Sequence, residues 1–348
     1  MTLYIGVDFH PHQQTAAWCD TGTGETATVD LKHDLEAVRR FYSSLPGPAV
    51  VGVEASAKAV WFENMLYENG HKLFVGNPVL IRKRATSRHK NDRRDAELIL
   101  ELLMRGEFPA IWRRPPESNR VIEAMGLRQG LVGQRTQAYN RLQALAHSIG
   151  MPKSRMRSAA ARSVLRAAEM DEADSMRREH LFRLIEHLDG QIGELSQWLM
   201  TKAEENSSAR LLQTQNGVGY LTALATVHTL GDVRRFKRAA KEVVSFAGLD
   251  PREMSSAGRV RFGSITKAGS PLLRYQLGQA AMAATRYDTR LKAFYKRLAK
   301  KKPRAVARTA VSRKLLVKLA IMLRDNITAE EFDRRGRTVG DARGKPVV

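Results

Sequence analysis

Short apolar segments alternate with amphipathic segments over the first part of the chain. Runs of β-branched, aromatic and aliphatic residues predict five strands, at 3–8, 13–19, 25–30, 49–54 and 72–75. Helical spacing of apolar residues predicts helices at 31–45 and 57–69, which end at Pro46 and Gly70. Three successive strands followed by alternating helix and strand predict a mixed α/β sheet, in the β-β-β-α-β-α-β order of the ribonuclease H-like fold.

The pattern changes after Pro115 and Pro116, where helical periodicity replaces the strands. One stretch has strict 4-3 spacing of apolar residues, at Leu181, Ile185, Leu188, Ile192, Leu195 and Leu199. Such a seam is typical of a coiled coil. It fits either a helical hairpin within one chain or a dimerisation arm, and the pattern alone does not decide between them.

These patterns divide the chain into four predicted segments. Residues 1–110 form the α/β domain, and residues 111–210 form a helical coiled-coil region. Residues 211–330 form a third, mainly helical domain with a loop around Ser255 and Ser256. The last segment, 331–348, is rich in glycine and arginine and is predicted to be a disordered tail.

Composition narrows the class of protein. No apolar run approaches the roughly 18 residues of a membrane span, and the N-terminus lacks a signal-peptide pattern. We therefore expect a cytoplasmic protein with no membrane partner. Cys19 is the single cysteine, which excludes disulfides within the chain and cysteine-based zinc sites. The nine histidines show no metal-ligand spacing of the HExxH kind, and His10 and His12 are predicted to be turn residues.

The basic charge is unevenly distributed. The net charge of the 348 residues is +22, but residues 1–110 hold 13 Lys and Arg against 14 Asp and Glu. The remainder holds 45 basic and 22 acidic residues, a net charge of +23. A neutral first domain followed by a very basic remainder predicts a polyanionic partner, and nucleic acid is the leading candidate. Charge alone does not distinguish an enzyme from an architectural nucleic-acid-binding protein.

Four carboxylates are the candidate chemistry of the first domain. Asp8 and Glu54 each end an apolar strand, and these strands would be neighbours in a ribonuclease H-like sheet. Asp92 and Asp95 are spaced i, i+3, which places both on one face of a helix. Four acids at one point repel unless divalent cations neutralise them, and oxygen ligands suit Mg²⁺ or Mn²⁺. The alternative is that each acid is only a helix cap or a surface residue.

Six short segments carry a resemblance to a known family. Three lie in the first domain: Gly6-Val-Asp8, Val53-Glu54-Ala-Ser56 and Lys90-Asn-Asp-Arg-Arg-Asp-Ala96. Three lie in the third domain: Phe246-Ala-Gly-Leu-Asp-Pro251, Ser255-Ser-Ala-Gly258 and Ile265-Thr-Lys-Ala-Gly269. In this order, over about residues 3–325, they resemble the DEDD transposases of the insertion sequence 110 family.

The resemblance implies a RuvC-like first domain, a coiled-coil middle and a C-terminal transposase domain. It implies recombination guided by a structured bridge RNA that pairs with donor and target DNA. It also implies a serine that attacks DNA and becomes covalently linked to it. The matching position is Ser256, with Ser255 as the second candidate. Ala257 stands where the family usually has glycine, and Asn216 where it usually has proline.

The residues and the family resemblance together indicate one leading function and two alternatives. The leading interpretation is an RNA-guided, Mg²⁺- or Mn²⁺-dependent DNA recombinase, expected to be a dimer or tetramer through the coiled coil. The alternatives are a RuvC-like nuclease that hydrolyses junctions with water and a nucleic-acid-binding protein without activity. Candidate phosphate contacts are Arg82, Lys83, Arg84, Arg88, Lys90, Arg93 and Arg94 in the first domain, and Arg259, Arg261, Lys267 and Arg274 in the third.

Overall fold

The computed structural model describes residues 2–56, 59–84, 91–152, 155–254 and 261–343. The chain separates into two compact units, Met1–Pro116 and Glu117–Val348. The first unit is a mixed α/β sheet and the second is mainly helical, which confirms the predicted fold class at this level. Within the described residues, no helix has the length and hydrophobicity needed to cross a membrane.

The N-terminal unit is built on a six-stranded sheet. Its strands are β1 (Leu3–Phe9), β2 (Gln13–Asp20), β3 (Thr26–Lys32), β4 (Val50–Glu54), β5 (Lys72–Gly76) and β6 (Ala110–Ile111). The strand order is β3-β2-β1-β4-β5-β6. The first three strands pair antiparallel, β1, β4 and β5 pair parallel, and β6 returns antiparallel to β5. All five predicted strands are present, and β6 is the one that sequence did not predict.

Helices cover both faces of this sheet. They are α1 (Leu35–Ser43), α2 (Val60–Glu68), α3 (Pro78–Arg82) and α4 (Asp92–Met104). Side chains from β1 such as Ile5 and Val7 share a buried core with Tyr42 of α1 and Phe62 of α2. Because neighbouring residues of a strand point to opposite faces, the residues at even positions of β1 lie on the face covered by α4.

Two glycines allow α4 to lie directly on the sheet. Gly6 of β1 and Gly52 of β4 are partners in the parallel register. A Cβ atom at Gly6 would overlap the backbone of Ala96 and Leu100, and one at Gly52 would lie 2.6 Å from Leu103 Cδ1. The backbone of α4 therefore occupies the space that a side chain at Gly6 would need, and side chains of α4 occupy that space at Gly52.

We expect Gly6→Ala to destabilise the N-terminal unit, because the new methyl group would overlap backbone atoms of α4. Unlike a side chain, the helix backbone cannot move away by changing its rotamer. The expected cost is about 1–3 kcal/mol, the usual range for overpacking. Urea unfolding of the full chain, with hydrogen exchange followed at the amides of β1 and α4, measures it.

Gly47→Ala is the matched control, since its added Cβ meets no atom within 4 Å. It should change stability by less than about 0.5 kcal/mol. Equal stability of the Gly6→Ala and Gly47→Ala variants would show that the contact between α4 and β1 is not needed.

The second unit begins with two long helices that form a hairpin within one chain. Helix α5 (Pro116–Ser148) and helix α7 (Glu172–Glu205) flank the short α6 (Ala159–Ala167). Arg128 Nε donates a 2.8 Å hydrogen bond to Ser196 Oγ, and Arg135 Nη1 lies 2.5 Å from Asp189 Oδ1. Residue numbers that rise along one helix and fall along the other show that α5 and α7 run antiparallel.

The predicted seam of α7 is used inside the chain. Five of its six residues are buried, and Leu181 and Ile185 pack with Leu142 of α5 and Leu165 of α6. Of the two arrangements that the pattern allows, the intramolecular hairpin is the one that the structure shows. The oligomer through these seam residues stays a prediction.

Helices make up most of the remainder of this unit. They are α8 (Ser207–Gln213), α9 (Tyr220–Leu230), α10 (Ala239–Phe246), α11 (Pro271–Tyr287), α12 (Thr289–Ala299), α13 (Arg304–Asp325) and α14 (Ala329–Arg343). A short antiparallel hairpin, β7 (Pro251–Glu253) and β8 (Phe262–Ile265), lies between α10 and α11. One core joins Leu199 of α7 to Leu224, Leu277 and Leu315, so the predicted segments 111–210 and 211–330 share their hydrophobic interior.

Helix α14 occupies much of the segment that was predicted to be a disordered tail. The backbone N–H of Glu331 donates to Thr328 Oγ1 at 3.3 Å, a capping contact that the Thr-x-x-Glu spacing encodes. Lys318 Nζ of α13 lies 2.8 Å from Asp333 Oδ1 and ties α14 to the preceding helix. Composition indicated disorder because it does not show a helix cap or an ion pair with the preceding helix.

Candidate active site

The four predicted carboxylates come from three elements of the N-terminal unit. Asp8 lies near the end of β1, and Glu54 is the last residue of the parallel neighbour β4. Asp92 and Asp95 lie in the first turn of α4, where the Asn91 side chain accepts a hydrogen bond from the backbone N–H of Arg93 at 3.0 Å. The positive end of the helix dipole favours acids there.

Three of these acids meet at one cavity of about 240 Å³. Asp8, Glu54 and Asp95 line it, together with His10 and Arg82. Asp92 joins the group through His10, whose Nε2 lies 3.4 Å from Asp92 Oδ1 and 3.1 Å from Asp8 Oδ2. The structure therefore brings the four predicted carboxylates together at the ends of the strands.

The positive groups near the four carboxylates offset only part of the negative charge. Burial raises the pKa of Asp8 above its ordinary value, and the negative charges of Asp92 and Asp95 add to that effect. His10 acts in the opposite direction through its charge and its hydrogen bond. Arg82 Nη2 lies 3.8 Å from Glu54 Oε1, but the Arg82 side chain is largely exposed. The cluster thus holds more negative charge than its own cations offset.

The donor set suits a divalent cation. Asp8, His10 and Asp92 each offer one ligand atom, and these three atoms lie within 4.8 Å of one another. Adjacent ligands around an octahedral ion with bonds of about 2.1 Å lie about 3.0 Å apart, close to the two distances from His10 Nε2. Glu54 and Asp95 add oxygen donors from the same cavity.

His10 is the site residue that the sequence interpretation missed. It was predicted to be a turn residue, and it does lie in the turn that follows β1, where its backbone N–H donates to Gln13 O at 2.9 Å. Its side chain nevertheless reaches back to Asp8, two residues earlier, at 3.1 Å. The two-residue spacing was available in the sequence, but the approach of Asp92 to His10 is a tertiary contact.

In metal-free buffer at pH 7, we expect Asp8→Asn to be more resistant to urea than the wild type. A carboxyl group with a raised pKa in the folded state destabilises the fold once the pH exceeds that pKa, because the unfolded chain carries the charge at lower cost. The gain should shrink as the pH falls through the raised pKa and should vanish below about 4, where the carboxyl group becomes protonated in both states.

Paired unfolding curves at pH 7 and pH 3.5 measure this effect. Glu25→Gln removes one exposed charge from the same unit and should leave stability unchanged at both pH values. A less stable Asp8→Asn variant at pH 7 would contradict the account of the cluster. Addition of Mg²⁺ or Mn²⁺ should stabilise the wild type but not Asp8→Asn.

The predicted nucleophile belongs to the second unit. Ser255 and Ser256 lie outside the described residues, as do Arg259, Arg88 and Lys90. In the sequence the two serines follow β7 and precede β8. The structure therefore describes the strands that lead into and out of this segment.

The base of the β7–β8 hairpin is held by the neighbouring motif residues. Thr266 Oγ1 donates a 2.6 Å hydrogen bond to Asp250 Oδ1, and the Thr266 backbone N–H donates to Asp250 O at 2.9 Å. The Lys267 backbone N–H donates to Gly248 O at 3.0 Å, and Lys267 has a positive φ of 58°. The two motifs on either side of the serine segment thus bind each other through their backbones.

Arg274 completes this scaffold. Its Nη1 donates to Ala247 O at 3.1 Å and to Gly269 O at 2.6 Å. Burial lowers the pKa of its guanidinium group. The sequence predicted Arg274 as a phosphate contact, whereas in the structure it holds the two motifs together.

Most of the other predicted phosphate contacts are exposed. Arg82, Lys83, Arg84, Arg93, Arg94, Arg261 and Lys267 are all exposed to solvent. Arg93 Nε also donates to Glu97 Oε1 at 3.1 Å, one turn further along α4. The residues of this group in the first unit lie on or next to α3 and α4, which border the carboxylate cavity.

Two family profiles match the chain. A profile described as Transposase, for DEDD transposases of the IS110 type, matches residues 5–151. A second, described as Transposase IS116/IS110/IS902 family, matches residues 209–296. The first match contains the four carboxylates and the second contains the serine segment.

Individual relatives agree with these profiles. A probable family 20 transposase of Pseudomonas aeruginosa is 29% identical over 255 residues, which are 72% of this chain and 75% of the relative. The transposase for insertion sequence element IS1328 of Yersinia enterocolitica is 28% identical over 287 residues, 80% and 82% of the two chains. The transposase for insertion sequence element IS1111A of Coxiella burnetii is 29% identical over 204 residues, 57% and 56%.

By these matches the chain is a DNA transposase. The profiles and the names of the relatives together support its assignment to the DEDD transposases of the IS110/IS116/IS902 family. These matches agree with the resemblance stated from sequence motifs.

Proposed function

We propose that the protein is an RNA-guided DNA recombinase of an insertion sequence, with its metal site at the carboxylate cavity of the N-terminal unit. The observation that carries the proposal is the convergence of Asp8, Glu54 and Asp95 on one cavity, with Asp92 linked to it through His10. Structural caps or surface acids would not need to meet at the ends of two parallel strands. This convergence favours an enzyme over a protein that only binds nucleic acid.

The proposed fold of the N-terminal unit is RuvC-like. Its support is the strand order, in which three antiparallel strands are followed by two that run parallel to β1. Helix α4 lies on the face of β1 that carries Asp8. In this arrangement the acids at the strand ends and the acids of the helix serve one site.

Asp8, Glu54, Asp92 and Asp95 would hold divalent metal, Mg²⁺ or Mn²⁺. When bound, the metal supplies charge neutralisation and activation of the attacking and leaving oxygens of a phosphodiester. The close packing of the α4 backbone against β1 fixes the positions of the carboxylates that these two elements carry. Arg82, which lines the same cavity, would meet the phosphate backbone of the DNA.

The proposed nucleophile is Ser256, on the strength of its match to the serine segment of the family. Its hydroxyl oxygen forms a bond to phosphorus, and the bond between phosphorus and one deoxyribose oxygen breaks. The serine proton leaves, and the released deoxyribose oxygen takes up a proton. One phosphodiester replaces another, so the step can reverse onto a new DNA strand without an external energy source.

Guidance by a bridge RNA is the most specific part of the proposal. It is supported by the family resemblance and by the +23 charge of the residues after position 110. Donor and target DNA and a structured RNA would together require many basic residues to neutralise their phosphates. The predicted dimer or tetramer remains part of the proposal, but the five buried seam residues are already used within one chain.

We expect Asp8→Ala, Glu54→Ala, Asp92→Ala and Asp95→Ala each to abolish strand transfer while leaving DNA affinity nearly unchanged. The physical reason is that each removes a charge at the reacting phosphate, whereas most phosphate contacts lie elsewhere. A gel assay of strand transfer and a filter-binding assay measure the two effects on the same preparations.

Glu101→Ala is the matched control, since Glu101 lies on α4 but pairs with Arg105 on the outer face. It should retain full activity. Normal recombination by Asp92→Ala or Asp95→Ala would refute the shared metal site. Loss of DNA binding in all four variants would point instead to a structural role.

A covalent adduct between DNA and Ser256 is the second expected result. The wild type, stopped in denaturant during reaction, should carry DNA on the peptide that contains Ser256. Ser256→Ala should bind DNA and RNA yet form no adduct, and Ser255→Ala should have a milder effect. Mass spectrometry of the linked peptide identifies the residue.

The products distinguish this proposal from its alternative. Free DNA ends without an adduct, together with an active Ser256→Ala variant, would indicate a nuclease that uses water. An adduct on Ser255 would move the nucleophile by one residue and leave the recombinase class intact.

A further inference from the structure

We propose that His10 is a direct ligand of the metal held by Asp8 and Asp92. The inference deepens the proposed function and rests on its metal site. It makes the site a mixed nitrogen and oxygen site, whereas the four predicted ligands are all carboxylates. Such a site binds first-row transition metals in preference to Mg²⁺, because imidazole is a ligand that these metals favour and Mg²⁺ does not.

The strand determines where the His10 side chain lies. Asp8 and His10 both project toward the face that carries α4, and the intervening Phe9 projects to the opposite face. There the Phe9 ring stacks on Phe62 at 5.6 Å and lies 4.6 Å from the ring of His33. Because Phe9 ends β1 and is partly buried in this aromatic group, the chain has little freedom there to turn His10 away from Asp8.

The distances from His10 fit coordination as well as hydrogen bonding. Nε2 lies between the two carboxylates, 3.1 Å from Asp8 Oδ2 and 3.4 Å from Asp92 Oδ1. One cation between the three atoms would replace both contacts with metal bonds and require only small side-chain movements. Asp8 and Asp92 lie on elements held by the backbone contact at Gly6, so the pair of oxygens is preorganised to meet the imidazole.

The competing role for His10 is that of a positioning residue. In that role it would orient Asp8 through the hydrogen bond and would not touch the metal. Both roles predict a loss of activity when His10 is replaced, so activity does not distinguish them. A spectroscopic signal from nitrogen bound to the metal does.

The experiment uses metal-free full-length protein and Mn²⁺ as the probe. Pulsed electron paramagnetic resonance should show the modulation of a directly bound ¹⁴N in the wild type. The signal should disappear in His10→Gln and persist in His12→Gln, because His12 is exposed in the same turn and is not one of the three donors.

Calorimetry then tests the metal preference. His10→Gln should weaken Mn²⁺ binding by at least about tenfold, the scale on which metal-site partners act. Its Mg²⁺ affinity should change much less, so the ratio of the two affinities should fall. His12→Gln should leave both affinities unchanged.

The outcomes separate this inference from the proposal beneath it. Failure of the wild type to bind Mn²⁺, or undiminished binding by Asp8→Ala, would overturn the metal site itself. Binding that depends on Asp8 but shows no nitrogen modulation would overturn only the role of His10. Equal weakening of Mn²⁺ and Mg²⁺ in His10→Gln would likewise assign His10 to positioning.

Discussion

The backbone contact between α4 and β1 is the constraint on which the candidate site depends. The acids at issue are far apart in the sequence, with Asp8 on the first strand and Asp92 on the fourth helix. They meet because the glycines at positions 6 and 52 remove the side chains that would keep the helix away from the sheet. The geometry of the site therefore depends on two glycines, which have no reactive side chain.

Close packing of this kind also carries an electrostatic cost. The same approach that aligns the acids buries Asp8 and exposes it to the charges of Asp92 and Asp95, which raises its pKa. His10, Arg82 and the positive end of α4 offset part of the repulsion. A site that is short of positive charge in the protein alone is well suited to a divalent cation, and functional sites commonly carry such a stability cost.

The sequence predicted the local features of the fold well. Apolar runs identified five of the six strands of the sheet, and the i, i+3 spacing placed Asp92 and Asp95 on one helix face. These signals succeed because strand and helix periodicity are properties of neighbouring residues. The strand β6 was missed because two residues are too few to show a period.

Features that depend on distant partners were the ones that sequence did not predict. The place of His10 in the site depends on Asp92, and the role of Arg274 depends on the carbonyl groups of Ala247 and Gly269. The C-terminal helix depends on Lys318 as well as on its own cap. In each case the residue type was visible, but its partner was more than ten residues away or carried by the backbone.

The motifs that resemble the family have different roles in the two units. In the N-terminal unit the motif residues include side chains that line the cavity, and Gly6 acts by making room for the helix. In the second unit the motifs around the serine segment bind each other, through Gly248, Asp250 and Thr266, and Arg274 braces them. A covalent step needs its nucleophile presented at a fixed place, because misplacement by about 1 Å can cost a hundredfold in rate. The hydrogen-bonded base of the β7–β8 hairpin would meet that need in the proposed covalent step without contributing a reacting group.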